Sequence, residues 1–201
     1  MYKWKKMTPE QRAEAIKRRK ARGYPWHGPP HRITRGRLYH ISATCYEHQP
    51  IIGKTFERMA EFEEELLSSV TRHAEQVLAW CVLPNHYHLH VDTPRIREAV
   101  GELGQLHGRT SFRWNGEENR RGRKCWHRCA DRAIRSERHN WATLNYVLHN
   151  PVHHGYVRRW QDWPFSSARK YLKEVGREKA LQRWRDYPLL DYGKGWDDPD
   201  L

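Results

Sequence analysis

The chain has 201 residues, of which 37% are hydrophobic and 30% charged, and its formal net charge is +13. Its mean hydropathy is −1.05, and no apolar run approaches the roughly 20 residues of a membrane span, so an integral membrane protein is not expected. Ten Trp and ten Tyr argue against full disorder, because they supply large apolar groups for a core. The first six residues are charged and aromatic with no apolar stretch behind them, so no secretory signal is expected. The four Cys are interpreted as cytosolic thiols rather than disulfides.

The positive charge is unevenly distributed. Residues 1–37 hold 12 basic and 2 acidic side chains, residues 38–108 hold 5 and 10, and residues 109–138 hold 10 and 4. Basic blocks of this kind attract phosphate backbones with little sequence preference, although they also serve as solvated surfaces. Aromatic residues interleave with the basic ones and could stack on bases. The charge pattern therefore favours a polyanion as partner.

The predicted elements begin with a basic helix. Thr8 can cap its N-terminus, Pro9 suits the first helical position, and Gln11 completes a capping box. The helix is expected to end near Ala21, and the Gly- and Pro-rich residues 23–30 form a linker. Residues 1–32 are thus predicted to be a basic N-terminal arm and linker.

The middle of the chain alternates between strand and helix patterns. Periodicity predicts strands over 38–46, 77–83 and 87–91, with a turn at Pro84-Asn85, and helices over 56–76, 95–114, 140–149 and 165–175. Asn150-Pro151 is expected to end the third of these helices. Residues 115–124 are a basic loop. This order predicts an α+β fold, with one sheet and helices packed on one face.

Every second residue at 86–90 is a histidine: His86, His88 and His90. His86 immediately precedes the predicted strand 87–91, and the other two lie within it. Alternate residues of a strand point to the same face, and two neighbouring imidazoles can chelate a divalent cation. The spacing alone does not choose between the two possible pairs. A row of hydrogen-bonded histidines is the alternative, since the chain contains 14 His.

Tyr146 and Asn150 are four residues apart on a predicted helix and therefore share one face. A phenol with its ordinary pKa near 10 is a weak nucleophile and needs a cation or base nearby. On these residues alone, a core tyrosine and a helix-ending asparagine are the simpler interpretation. Cys125 and Cys129, with His127 and His139, have ligand types for zinc, but a second Cys pair is missing.

Taken together, several segments resemble the single-tyrosine HUH transposases, and most closely their REP-associated tyrosine transposase branch. These segments are YHIS at 39–42, LPNHYHLHV at 83–91, NYVLHNPV at 145–152 and HGYV at 154–157, followed by DWPFSS at 162–167. The resemblance covers residues 33–172 in the correct order. It implies a ferredoxin-like antiparallel sheet in a transposase domain over 33–175, with a C-terminal tail over 176–201.

The resemblance also implies an activity, namely metal-dependent cleavage and rejoining of single-stranded DNA through a 5′-phosphotyrosine. His86 and His88 match the metal-binding pair, Asn150 the third ligand and Tyr146 the nucleophile. The cation would be Mg²⁺ or Mn²⁺. His90 departs from the family pattern, which more usually has an apolar residue there, and His149 departs as well.

Hairpin-containing single-stranded DNA with palindromic repeats is the partner that the resemblance implies. A monomer is favoured, and a homodimer is the alternative. The expected location is the bacterial cytoplasm, in association with the nucleoid. The cationic residues predicted to contact DNA are Arg32, Arg35, Arg37, Arg113, Arg120, Arg121, Arg123, Lys124, Arg132 and Arg135. Three alternatives are left open: a catalytically silent DNA- or RNA-binding regulator on the same fold, a nuclease of the replication-initiator or relaxase type, and a zinc-stabilised binding module.

Overall fold

The computed structural model describes residues 8–11, 13, 14, 17, 37–190 and 192. Its first segment has the predicted capping box. The backbone N–H of Gln11 donates to Thr8 Oγ1 at 3.3 Å, and the backbone N–H of Thr8 donates to Gln11 Oε1 at 3.0 Å. The helix start at Thr8 is thereby confirmed, whereas the predicted linker over 23–30 lies outside the described residues.

Four antiparallel strands form one sheet in the order β2-β3-β1-β4. They are β1 (Leu38–Thr44), β2 (Gln76–Val82), β3 (His86–Asp92) and β4 (Ala130–Ala133), joined by α1 (Phe56–Thr71) between β1 and β2 and by α2 (Ile96–Glu117) between β3 and β4. Three further helices follow: α3 (Glu137–His153), α4 (Ala168–Val175) and α5 (Arg177–Asp186). Single 3₁₀ turns lie at Tyr46–His48, Ile52–Lys54 and Trp160–Asp162. The order βαββαβ confirms the predicted α+β fold with a ferredoxin-like sheet.

The first face of the sheet packs against α1 and α2. Alternate residues of β1 and β3, such as Ile41 and Leu89, are fully buried there against Phe62 of α1 and Trp114 of α2. Burying one such large apolar side chain contributes about 1.5–3 kcal/mol before entropy is counted. This is the larger of the two cores, and it fixes the strands whose other face carries the site.

The second face of the sheet is covered by α3, with α4 and α5 packed beyond it. Ala79, Cys81 and Leu83 contact Val147 and Leu148 of α3 in a second buried cluster. The prediction of helices on one face thus holds for α1 and α2 but leaves out α3. The physical reason lies in the run VLAWCVL of residues 77–83, because a strand that is apolar on both faces needs cover on both.

Two elements depart most from the sequence-based expectation. The strand β4 was not predicted, because its four residues, ADRA, show no alternation of apolar and polar side chains. The helix α3 begins earlier, where Ser136 Oγ accepts from the backbone N–H of His139 at 3.1 Å. It also continues through Pro151 to His153. A proline removes one helical hydrogen bond. The loss is tolerated because Pro151 lies in the last turn of α3, two residues before its end.

The segment predicted as a tail from residue 176 contains a helix and packs against the domain. Ala180 of α5 is buried in the second core. The side-chain amide of Asn145 on α3 donates to the carbonyl oxygens of Arg183 at 3.2 Å and Tyr187 at 2.9 Å. Residues 177–187 therefore help to hold α3 in place.

All four cysteines are free thiols and buried. Within the described part of the chain, no helix combines the length and hydrophobicity that a membrane span requires.

Candidate active site

The four side chains predicted to carry chemistry meet on the second face of the sheet. His86 and His88 lie on β3, and their rings are 5.0 Å apart at 79°. Tyr146 and Asn150 face them from α3, one turn apart along the helix. All four are buried, with 4% or less of each exposed. The strand alternation of β3 and the helical spacing of α3 thus bring the four side chains into one cluster.

His86 is oriented by the residue that precedes it. Its Nδ1 lies 2.7 Å from Asn85 Oδ1, while the amide nitrogen of Asn85 donates to the carbonyl oxygen of His48 at 3.2 Å. Because that second bond fixes which end of the amide is oxygen, His86 Nδ1 must be the donor. In the neutral ring, Nε2 therefore carries the lone pair.

The pairing of His86 with Asn150 fits a bound cation. His86 Nε2 lies 3.1 Å from Asn150 Oδ1, so two acceptor atoms face each other, and a cation bound between them would satisfy both. The Asn150 amide nitrogen is buried and has no hydrogen-bond partner among the residues that the structure describes. Two ligand atoms on one octahedral cation at about 2.1 Å are about 3 Å apart, so the observed separation suits shared ligation.

His88 is held by a histidine that sequence reasoning did not assign to the site. His88 Nδ1 lies 3.0 Å from Nε2 of His40 on β1, and the two rings stack at 5.1 Å and 27°. With Nδ1 engaged by His40, Nε2 is the nitrogen through which His88 would bind a cation. The alternation of β1 places His40, Ser42 and Thr44 on one face, but it does not indicate which residues that face meets.

The Tyr146 ring is packed on three sides by other rings. It meets His88 edge-on at 5.1 Å and 74°, His40 at 5.7 Å and 80°, and Tyr192 at 5.5 Å and 73°. The Tyr192 hydroxyl hydrogen-bonds that of Thr143 at 2.6 Å, and burial raises the pKa of Tyr192 to about 12. Tyr192 is therefore a neutral phenol fixed beside Tyr146, a neighbour that the sequence did not reveal.

The two unusual histidines lie outside this cluster of four. His90 sits opposite His40 in the sheet register, and burial lowers its pKa to about 4. His149 stacks on Trp184 at 3.6 Å and on Trp160 at 5.0 Å. It is His86, rather than His90, that contacts Asn150. The ring nearest to His86 on its other side is His154, at 4.9 Å.

The zinc alternative has no support in the described residues. They contain no group of three His, Cys, Asp or Glu side chains placed to hold a metal ion. Cys125 Sγ contacts Asn115 Oδ1 at 3.3 Å, and Cys129 Sγ contacts the Tyr87 hydroxyl at 3.3 Å. The third ligand of the predicted set is an amide oxygen, that of Asn150.

Several of the arginines predicted to contact DNA are engaged by carboxylates within the protein. Arg37 pairs with Glu75 and with Asp92, the latter at 3.0 Å. Arg113 pairs with Glu65 at 2.6 Å, and Arg123 with Glu118 at 2.9 Å. The guanidinium of Arg121 lies 4.3 Å over the Phe112 ring, and the ammonium of Lys124 lies 4.6 Å over the Tyr46 ring. Arg120 and Arg135 are exposed, whereas Arg32 and Arg35 lie outside the described residues.

Arg132 is the predicted DNA contact that the fold places on the same face as the site. It lies directly opposite His40 in the pairing of β1 with β4. Directly opposed residues of an antiparallel pair point to one face of the sheet. The Arg132 side chain, half-buried at the sheet edge, thus adds positive charge beside an otherwise neutral cluster.

Comparison with known proteins finds similar sequences and one similar structure. A Haemophilus influenzae protein assigned as a REP-associated tyrosine transposase is 26% identical over 179 residues, which cover 79% of this chain and 93% of that protein. A REP-associated tyrosine transposase of Escherichia coli is 30% identical over 98 residues, or 46% of this chain and 53% of that protein. No protein-family model matches the chain.

The similar structure is that of a REP-associated tyrosine transposase bound to a REP hairpin. It superimposes with a TM-score of 0.52 and 19% sequence identity, covering 71% of this chain and 82% of that one. A likeness at this level of identity establishes a shared fold.

Proposed function

We propose that the chain, which is similar in sequence to REP-associated tyrosine transposases, cleaves and rejoins hairpin-containing single-stranded DNA. Tyr146 is the proposed nucleophile, and His86, His88 and Asn150 are the proposed ligands of a divalent cation, Mg²⁺ or Mn²⁺. The observation that carries the proposal is the meeting of Tyr146 with His88, and of Asn150 with His86, on one face of the sheet.

The side chains around the scissile phosphate would have two roles. Some would hold the cation that stabilises negative charge on the phosphate, and others would orient the Tyr146 phenol. A cation bound by the two imidazoles and the amide supplies Lewis-acid stabilisation of the charge that develops on the phosphate. Because these three ligands are neutral, they leave the positive charge available to the phosphate. The ring contacts of Tyr146 with His40 and His88 hold its phenol in one orientation, which lowers the entropic cost of in-line attack.

In the proposed step, the Tyr146 phenol oxygen forms a bond to phosphorus as the bond from phosphorus to the 3′-oxygen breaks. The phenol loses one proton and the departing oxygen gains one, giving a 5′-phosphotyrosine and a free 3′-hydroxyl. The number of phosphate ester bonds is unchanged, so rejoining requires no ATP. The chain accordingly has no need of a phosphate-binding loop for nucleotide.

The proposed substrate is a DNA hairpin, in keeping with the REP hairpin in the structure of the similar transposase. Unpaired DNA beside the stem can bring a single phosphate into a buried site, which a continuous duplex cannot. Arg132 at the edge of the site and the exposed Arg120 and Arg135 are proposed to contact the phosphate backbone, and we propose that one chain acts alone.

Formation of a covalent adduct tests the proposal. We expect that a hairpin-bearing single strand incubated with Mn²⁺ or Mg²⁺ yields a protein–DNA complex that resists SDS, and that Tyr146→Phe abolishes it. Tyr171→Phe is the matched control, because Tyr171 is also buried in the second core but its hydroxyl bonds Arg183 at 3.0 Å. An adduct that survives Tyr146→Phe would contradict the assignment of the nucleophile. Hairpin binding without any adduct in the wild type would instead support the catalytically silent regulator.

A further inference from the structure

His40 is a fully buried histidine on the site face that is neither a proposed ligand nor the proposed nucleophile. It lies at the middle of β1, opposite His90 in one neighbouring strand and Arg132 in the other. Its ring contacts both His88, at 5.1 Å, and Tyr146, at 5.7 Å, and those two rings are themselves 5.1 Å apart. A buried polar ring in contact with both a proposed ligand and the proposed nucleophile calls for a physical explanation.

The contact between His40 and His88 controls which nitrogen of His88 can bind a cation. Their Nε2 and Nδ1 atoms are 3.0 Å apart, so one of the two must carry the hydrogen. If His88 Nδ1–H donates, its Nε2 bears the lone pair and can ligate. If His40 Nε2–H donates instead, the neutral His88 ring carries its own proton on Nε2 and cannot ligate.

We propose that His40 is a positioning residue that accepts a hydrogen bond from His88 Nδ1 and thereby keeps His88 in the tautomer that binds the cation. The inference rests on the proposed function of the site. Asn85 acts in the same way on His86, where the side-chain oxygen faces Nδ1 at 2.7 Å. Each ligand histidine is thus held at Nδ1 by a neutral acceptor.

The neutrality of both acceptors has a chemical consequence. Metal-binding histidines usually donate their second N–H to a carboxylate, a carbonyl or water. A carboxylate at the position of His40 would add negative charge beside the phosphate that the site must bind. An imidazole acceptor orients His88 without adding that charge, so it suits a site for an anionic substrate.

Two substitutions separate the acceptor role of His40 from its packing role. In His40→Gln, the side-chain oxygen can take the place of Nε2, whereas His40→Phe keeps a ring but removes the acceptor. We expect His40→Phe to bind Mn²⁺ about 10- to 100-fold more weakly than wild type by isothermal titration calorimetry. His40→Gln should stay within about threefold. His90→Gln is the matched control, because His90 is equally buried on the same face of the sheet, and it should bind Mn²⁺ like the wild type.

Nuclear magnetic resonance of ¹⁵N-labelled histidines in the metal-free protein gives an independent measurement. We expect His88 in the wild type to be the Nδ1–H tautomer, and in His40→Phe a mixture. Unchanged Mn²⁺ affinity in His40→Phe, equal losses in the Phe and Gln variants, or an Nε2–H tautomer of His88 in the wild type would each overturn the inference. If His40→Phe does not fold, the wild-type spectrum decides. A wild type that binds Mn²⁺ while forming no adduct would overturn the proposed reaction alone.

Discussion

Burial holds several histidines neutral in the folded protein. It lowers the pKa of His107 to about 3 and that of His149 to about 4, whereas the unfolded value is about 6.5. The unfolded chain therefore binds protons first as the pH falls. Each such histidine leaves stability unaffected above about pH 6.5 and removes about 1.4 kcal/mol per pH unit below it, until the folded form also protonates.

A substitution at His149 tests this pH dependence. His149→Phe can still stack between Trp160 and Trp184 but cannot titrate. We expect the free energy of unfolding, measured by urea titration between pH 6 and pH 5, to fall less steeply than in wild type by about 1.4 kcal/mol per pH unit. Above about pH 7, where the histidine is neutral in both states, the variant and the wild type should have the same slope, which serves as the control. An unaltered slope in His149→Phe would show that His149 is protonated in the folded state.

At this scale, the residues that could be predicted are those whose relation is local in the chain. His86 and His88 share a strand, and Tyr146 and Asn150 share a helix turn, so spacing places each pair on one face. The choice of these four residues came from the family resemblance. The positioning role proposed for His40 could not be predicted from the sequence. Its contact with His88 spans 48 residues and depends on the register of β1 with β3.

At the scale of elements, a close approach between two turns fixes the end of β2. A Cβ atom on Gly53 would lie 2.4 Å from Pro84 Cβ and 2.8 Å from Pro84 Cα, and the Gly53 N–H donates to the Pro84 carbonyl at 2.8 Å. We expect Gly53→Ala to lower the free energy of unfolding by about 1–3 kcal/mol, because the added methyl overpacks this contact. Urea denaturation at pH 7 measures the change.

For Gly108, the opposite change in the free energy of unfolding is expected in the same urea denaturation assay. Gly108 lies within α2, and an added Cβ would meet nothing within 4 Å. Gly108→Ala should therefore raise the free energy of unfolding by about 0.5–1 kcal/mol through helix propensity. A destabilised Gly108→Ala, or a neutral Gly53→Ala, would contradict the packing described here.

The edge strand β4 is expected to contribute to DNA binding through Arg132. Replacement by Ala should weaken hairpin binding at all sequences and reduce the slope of log K against log salt by about 1. Arg113→Ala serves for comparison, because its guanidinium pairs with Glu65 of α1 at 2.6 Å on the other side of the sheet. Fluorescence anisotropy between 50 and 300 mM salt measures both, and equal slopes for the Arg132 variant and wild type would exclude this contact.

Elements with strong periodicity were predictable, and those defined by their neighbours were not. The amphipathic helix α1 and the apolar strand β2 follow from pattern alone. The edge strand β4 and the helix α5 are short and polar, so their structure depends on pairing with β1 and on contacts with α3 that span tens of residues.

For the whole molecule, most of the net positive charge belongs to the N-terminal segment. Residues 1–32 carry ten basic and two acidic side chains. If they act as a nonspecific clamp, deleting them should weaken binding to every hairpin. The salt slope should become shallower by about 0.7 for each lost contact with single-stranded phosphate. Anisotropy titrations over the same salt range measure this, and an unchanged slope would show that the segment does not contact DNA.

Because Tyr146 and Asn150 lie on the same helix, the proposed active site should lose its geometry as a unit when the protein begins to unfold. Both side chains lie on α3, whereas His86 and His88 lie on the sheet, so a tilt of α3 would move the proposed nucleophile and one proposed ligand together. The contacts of Val147 and Leu148 with β2 hold α3 against the sheet. Loss of these contacts would separate Tyr146 and Asn150 from His86 and His88 at the same time. We therefore expect partial denaturation to abolish the proposed cleavage in one step rather than gradually.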